Sequence, residues 1–150
     1  MTSASMPRHH RHLLTIHAVI FDSQRYVLIG RSRKRWKLPG GHVEANQSLK
    51  EALAAEIVEE TGSGWKYRIE AVAGVYSLFK GGEDQRVSVI AAGSYVSGSP
   101  VAASDEFEEV RWATMNKAMA MLKRPRWVRG VRDAYAVKFK GRAARLRKLK

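Results

Sequence analysis

The sequence predicts an α+β or three-layer α/β/α domain, with helices packed on a β-sheet. One observation is the order of the elements, since apolar β-rich runs come before and after a helical pattern, and further helical patterns follow. Another is the composition, 45% hydrophobic and 27% charged residues, which is typical of a globular protein. A chain of 150 residues is long enough to bury one hydrophobic core.

Two apolar runs begin the domain, at residues 13–21 and 26–30, with a turn-like sequence between them. This pattern predicts a β-hairpin. Pro39 then disfavours a helix at the preceding residue, and Gly40 and Gly41 permit close approach by other groups to the backbone.

A helix is predicted from Ser48 to Gly62. Ser48 and Glu51 have the spacing of a capping box at the helix start, and Gly62 is a typical residue after a helix end. Between them, Ala52 and Leu53 belong to an apolar stripe with helical spacing.

The second half predicts two long strands, at 67–79 and 86–96, joined by a hairpin loop. A short strand is expected at 107–112. Helices are expected at 116–122 and 126–137. We therefore predict a flexible basic arm at residues 1–12, a folded domain at 13–137 and a basic tail at 138–150.

The formal net charge of +13 arises in the last part of the chain, because residues 111–150 hold 14 Lys or Arg and one acid. A basic tail attracts polyanions such as nucleic acid or anionic membrane surfaces. A solubilising helix end or an unstructured tail explains the same composition. The sequence has no run of 18 apolar residues, so no membrane span is expected.

Three acids crowd the end of the predicted central helix: Glu56, Glu59 and Glu60. At about 100° per residue they fall within an arc of about 100°, which overlaps the apolar stripe. Like charges at this spacing repel, and acids near a helix C-terminus oppose the helix dipole. Either they form a solvated helix end or they bind a cation. Carboxylates favour hard cations such as Mg²⁺ or Mn²⁺, and the chain has no cysteine for a thiolate site.

The run from Gly41 to Ser63 resembles the Nudix box of the Nudix hydrolases. The matching residues are Gly41, Glu56, Ile57, Glu59, Glu60 and Gly62. Gln47 replaces the first glutamate of the box, Ala55 replaces its arginine, and Ser63 replaces an aliphatic residue. The sequences at 36–40 and 106–112 are also similar to this family.

The resemblance implies a Nudix fold, with a central mixed β-sheet between helices. It also implies hydrolysis of a diphosphate linkage in a nucleoside diphosphate derivative, such as a nucleoside triphosphate or a nucleotide sugar. Glu56, Glu59 and Glu60, with the Gly40 carbonyl, would hold Mg²⁺ or Mn²⁺, which would activate a water and neutralise phosphate charge. Because the charges at 47 and 55 are both absent, we expect metal binding with weaker preorganisation.

The resemblance implies that the general base is either Glu56 or an acid on a later loop, for which Glu106 is the best candidate. Arg31 and Gly41 are the expected substrate-binding residues. The alternative function is a nucleic-acid-binding or RNA 5′-end-directed Nudix protein with a weakened active site, in which the basic tail makes the contacts. A cytoplasmic location is expected, and oligomeric state has no signal in the sequence.

Overall fold

A computed structural model describes residues 12–79 and 85–149 of the chain. The predicted arm at 1–12, except for His12, and the predicted hairpin loop at 80–85, except for Gln85, lie outside these residues. The elements follow in this order: β1 (Leu13–Phe21), β2 (Val27–Ser32), β3 (Arg35–Lys37), β4 (Gly40–His42), α1 (Leu49–Thr61), β5 (Trp65–Phe79), β6 (Gln85–Gly98), β7 (Glu109–Ala113), α2 (Met115–Leu122), α3 (Pro125–Lys140) and β8 (Arg145–Leu149).

The strands form one mixed sheet in the order β3-β2-β1-β6-β5-β8, with β4 paired to β1 and β7 paired to β2. The β1–β6 and β5–β8 pairs are parallel, and the other pairs are antiparallel. Successive residues of a strand point to opposite faces. In β1, Ile16 and Ile20 accordingly join a core with α1, whereas Val19 and Phe21 join a core with α2 and α3. The three-layer sandwich and its central mixed sheet are confirmed.

The predicted hairpin at the start of the domain has little direct pairing. Strands β1 and β2 share the single register pair Phe21 and Val27, because β1 continues between β6 and β4 while β2 continues between β3 and β7. The two strands therefore diverge after the turn. The gap that opens between them receives β4, which carries the glycine pair.

Helix α1 has the predicted ends. The Ser48 hydroxyl accepts a hydrogen bond from the Glu51 N–H at 3.1 Å, and the Gly62 N–H donates to the Val58 carbonyl at 2.9 Å. Gly62 has φ +80°, a conformation that favours glycine. Both ends are local signals, which explains why the sequence locates this helix well.

The C-terminal segment forms part of the folded domain. The predicted boundary at residue 137 falls inside α3, which runs to Lys140, and residues 145–149 form β8 at the edge of the sheet. Lys138 pairs with Glu70 at 2.7 Å, and Arg147 pairs with Asp133 at 2.8 Å. Among the described residues, no helix is both long and apolar enough to cross a membrane.

Candidate active site

The glycine pair lies on β4 between β1 and the end of α1. Gly40 has φ +142°, and a Cβ atom built there would lie 2.1 Å from the Ile16 carbonyl oxygen. A Cβ atom on Gly41 would lie 2.7 Å from the carboxyl carbon of Glu56. Position 40 therefore requires glycine, whereas a side chain at Gly41 would displace the Glu56 carboxylate. At Gly41 the missing side chain lets the Glu56 carboxylate approach the backbone.

Three carboxylates converge beside this strand. One oxygen from each of Glu56, Glu59 and Glu106 lies within 4.8 Å of the others. Burial, followed by the charges of Glu106 and Glu59, raises the pKa of Glu56 above its ordinary value. Glu106 reaches the group from the loop between β6 and β7, so the structure brings together two elements far apart in sequence. Glu56 is partly buried, and Glu59 and Glu106 are exposed. Carboxylate oxygens that repel one another in this way fit a hard divalent cation.

Comparisons with known proteins identify the family of the chain. The sequence profile of the NUDIX domain matches residues 11–135. The chain belongs to the Nudix hydrolase family. It is 33% identical over 97 residues to a Bacillus subtilis protein named "Putative 8-oxo-dGTP diphosphatase", a match that covers 64% of this chain and 62% of that protein. The chain thus spans less than two thirds of the length of this relative.

Solved structures show the same fold. The MutT protein of Methanosarcina mazei Go1 is 27% identical with a TM-score of 0.67, covering 91% of this chain and 99% of its own. A Nudix hydrolase of Nitrosomonas europaea is 19% identical with a TM-score of 0.74, covering 94% of this chain and 81% of its own.

Glu60 of the Nudix box lies outside the group of three carboxylates. Its side chain is fully buried, and its Oε1 accepts a hydrogen bond from the Gly40 N–H at 2.8 Å. Lys37 Nζ lies 3.5 Å from its Oε2. Burial raises the pKa of Glu60 to about 8, although the Gly40 N–H and Lys37 both act to lower it. The predicted ligand role of Glu60 stays a prediction, and the contact that the structure assigns to it is support of the Gly40 backbone.

The Pro39–Gly40 peptide is held from both sides. The Pro39 carbonyl accepts from the Ala18 N–H at 2.9 Å, while the Gly40 N–H donates to Glu60. The peptide that immediately precedes the expected metal-binding carbonyl of Gly40 is thereby held between the sheet and α1. Lys37 completes the arrangement as the cation nearest to Glu60, a role that the sequence analysis missed. The available signal in the sequence was the position of Lys37, three residues before Gly40.

A cavity of about 570 Å³ opens beside the carboxylates. Its charged lining residues are Arg33, Lys37, Glu44, Glu56, Asp105 and Glu106. Arg31, the predicted substrate-binding cation, does not line this cavity. It forms ion pairs with Glu108 at 3.8 Å and Glu109 at 3.5 Å. Arg33 and Lys37 are instead the cations that face the cavity, and the backbone of Gly41 forms part of its wall.

Two of the three departures from the Nudix box, Gln47 and Ala55, replace residues that are charged in the family. Gln47 Oε1 accepts a hydrogen bond from the Glu44 N–H at 3.0 Å, which closes the loop before α1. Ala55 is exposed on α1. No cation from position 55 is therefore available to the carboxylates, and Lys37 approaches Glu60 from β3.

Proposed function

We propose that the chain is a metal-dependent hydrolase that cleaves a diphosphate linkage in a nucleoside diphosphate derivative. The observation that carries this proposal is the convergence of Glu56, Glu59 and Glu106 beside a side-chain-free backbone. Their charges have no cation in direct contact among the described ion pairs, so a bound cation is the simplest source of neutralisation.

Mg²⁺ or Mn²⁺ held by these carboxylates, with Glu60 and the Gly40 carbonyl as further candidate ligands, would polarise the phosphate and acidify a bound water. Other residues of the chain bind and orient the substrate. Arg33 orients the negatively charged phosphates from the cavity wall, and Lys37 lines the same wall while paired with Glu60. Glycine at 41 keeps the space beside Glu56 open to substrate.

The general base is Glu56 or Glu106, both of which line the cavity. The raised pKa of Glu56 makes its carboxylate a stronger proton acceptor than an ordinary glutamate. In the reaction, a water oxygen bonds to phosphorus and its proton passes to the base. The phosphorus–oxygen bond of the anhydride breaks, and the bridging oxygen leaves with the second phosphate.

The substrate class rests on the cavity and on relatives. Relatives and fold neighbours include proteins named as an 8-oxo-dGTP diphosphatase, a UDP-X diphosphatase and an ADP-ribose pyrophosphatase. Nucleoside triphosphates and nucleotide sugars share the diphosphate linkage that such a site would cleave. We favour nucleoside triphosphates, because a relative that is 33% identical over 97 residues carries such a substrate in its name.

A hydrolysis screen tests the proposal. The protein is incubated with Mg²⁺ or Mn²⁺ and with ordinary and oxidised nucleoside triphosphates, nucleotide sugars and dinucleoside polyphosphates. The expected result is cation-dependent release of a nucleoside monophosphate from at least one class. Glu51→Gln, an exposed change on the same helix, should keep the rate, and Glu59→Gln should lose it. Equal rates for these two variants, or hydrolysis that persists in excess EDTA, would contradict the proposal.

A further inference from the structure

The turn between β2 and β3 contains an unusual pair of residues. Ser32 pairs with Arg35, so Arg33 and Lys34 form a two-residue loop. Their φ angles are +50° and +65°, which is the pattern of a type I′ turn. This turn strongly favours Asn-Gly, because other residues are strained at positive φ. An Arg-Lys pair therefore needs a reason other than the stability of the turn.

Lys34 lies beside a second cavity, of about 550 Å³, between this turn and the junction of α2 and α3. The cavity is separate from the carboxylate site, since the two share no lining residue. Its charged lining consists of Lys34, Arg35, Lys123 and Arg124, and no acid lines it. Trp36 and the end of α2 form its apolar wall. We call this cavity the basic pocket.

The cations of the basic pocket lack acidic partners. None of the four has an acid within ion-pair distance in the part of the chain that the structure describes. The neighbouring arginines differ, because Arg31 and Arg111 are both paired with Glu109. Lys123 also has positive φ, at +62°, although its place at the end of α2 lets it interact favourably with the helix dipole. Lys34 has no comparable structural compensation.

Like charges around a concave surface repel one another and attract an anion. Strain retained at exposed residues is commonly linked to function. We propose that the basic pocket binds the phosphate groups of an oligophosphate ligand, at a site separate from the carboxylate cluster. Lys34 and Lys123 contact phosphate oxygens from opposite sides of the pocket, and Arg35 and Arg124 add charge at its rim.

Equilibrium binding of inorganic tripolyphosphate tests this proposal. Calorimetry in EDTA keeps the measurement independent of hydrolysis, so failure of the proposed function leaves the test intact. The wild-type protein should bind the probe, and affinity should fall as NaCl rises from roughly 50 to 200 mM, since salt screens exposed charges. Lys34→Gly should weaken binding by about tenfold, the loss expected for one charge-assisted contact.

The stability of the same variant separates function from structure. Lys34→Gly relieves the strain that a side chain causes at positive φ, so the Tm of this variant should rise by roughly 2–4 °C. The matched control is Arg25→Gly, which removes one cation at another positive-φ position, φ +65°, in the β1–β2 turn. This control should bind tripolyphosphate like the wild type. Unchanged binding by Lys34→Gly, an equal loss in Arg25→Gly, or a lower Tm for Lys34→Gly would overturn the proposal.

Kinetics with a nucleoside triphosphate then identify the source of the phosphate. If Lys34→Gly raises KM and leaves kcat unchanged, the basic pocket holds part of the substrate. If KM is unchanged while tripolyphosphate binding is lost, the pocket serves a separate oligophosphate. Both results support an oligophosphate site.

Discussion

Two carboxylate centres on opposite faces of the sheet have opposite surroundings. Asp133 on α3 is buried and accepts hydrogen bonds from the Tyr76 hydroxyl at 2.7 Å and from Arg147 at 2.8 Å. Burial acts to raise the pKa of Asp133, but hydrogen bonds from Arg147 and Tyr76 hold it below the ordinary value. The protein itself satisfies this charge. Asp133 therefore joins β5, α3 and β8.

Within residues 12–79 and 85–149, the carboxylate cluster on the α1 side has no ion-pair partner. Glu56, Glu59 and Glu106 repel one another, and the pKa of Glu56 is raised. A fold that can pair an acid as completely as Asp133 leaves these three available to a ligand. Hydrogen-bond donors and paired cations, more than acidity or burial, therefore distinguish a structural carboxylate from a functional one.

The largest effect should come from Glu56→Gln. Loss of one charge from the cluster should reduce kcat/KM by on the order of 10³-fold, because charge stabilisation at the reacting phosphate is lost. Steady-state release of nucleoside monophosphate measures this effect. The Tm of the metal-free variant should equal or exceed that of the wild type, since like-charge repulsion decreases. A marked loss of Tm would make Glu56 structural, as Asp133 is.

Asp133→Ala should have the opposite profile. It leaves the Tyr76 hydroxyl and the Arg147 guanidinium without their acceptor, and should lower the free energy of unfolding by about 2–4 kcal/mol. Urea unfolding measures the change. Tyr76→Phe, which removes only the hydroxyl, should cost about 1 kcal/mol. If Asp133→Ala is as stable as the wild type, the contrast between the two centres fails.

Lys37→Met tests Glu60, whose surroundings are intermediate between those of Asp133 and the carboxylate cluster. Glu60 is buried and has one cation, Lys37, at 3.5 Å. We expect a loss of about 10- to 100-fold in kcat/KM, the range for residues that orient metal ligands. Lys37→Arg should retain most of the activity. In a Glu60→Gln background, Lys37→Met should have a much smaller further effect. Equal losses in both backgrounds would show that Lys37 acts on substrate without Glu60.

The pH dependence of stability gives the most gradual expected effect. The folded pKa of Glu60, about 8, exceeds its ordinary value of 4.5, so the folded state binds more protons between these values. Stability of the metal-free protein should therefore be greatest below about pH 4.5 for this group. It should fall by on the order of 1 kcal/mol per pH unit up to about pH 8. Urea unfolding of Glu60→Gln across the same range should lack this slope, and an identical slope would contradict the assignment.

Local signals explain what the sequence predicts well. The caps of α1 lie within the helix and its flanks, and the spacing of Glu56 and Glu59 places them on one face without tertiary information. The family resemblance indicates Glu106 as the candidate general base among the later acids, and the structure brings its carboxylate into the cluster.

Tertiary contacts explain what was missed. Strand β8 pairs in parallel with β5 about 70 residues earlier, a contact that its basic sequence does not reveal. The helical spacing that places Glu59 beside Glu56 also predicts that Glu60 lies there. The burial of Glu60, however, depends on how α1 packs against β4. Arg31 is an expected substrate-binding residue by the family resemblance, but in the structure it forms ion pairs with Glu108 and Glu109.

The most direct test of the central claim is Mn²⁺ binding measured by electron paramagnetic resonance. Titrations compare the wild type with two variants. Glu59→Gln alters the cluster, and Glu51→Gln removes an acid in the first turn of the same helix. Mn²⁺ should bind saturably to the wild type and to Glu51→Gln, with affinity at least about tenfold weaker in Glu59→Gln. Equal Mn²⁺ affinity in all three proteins would contradict the claim that the carboxylate cluster holds the cation.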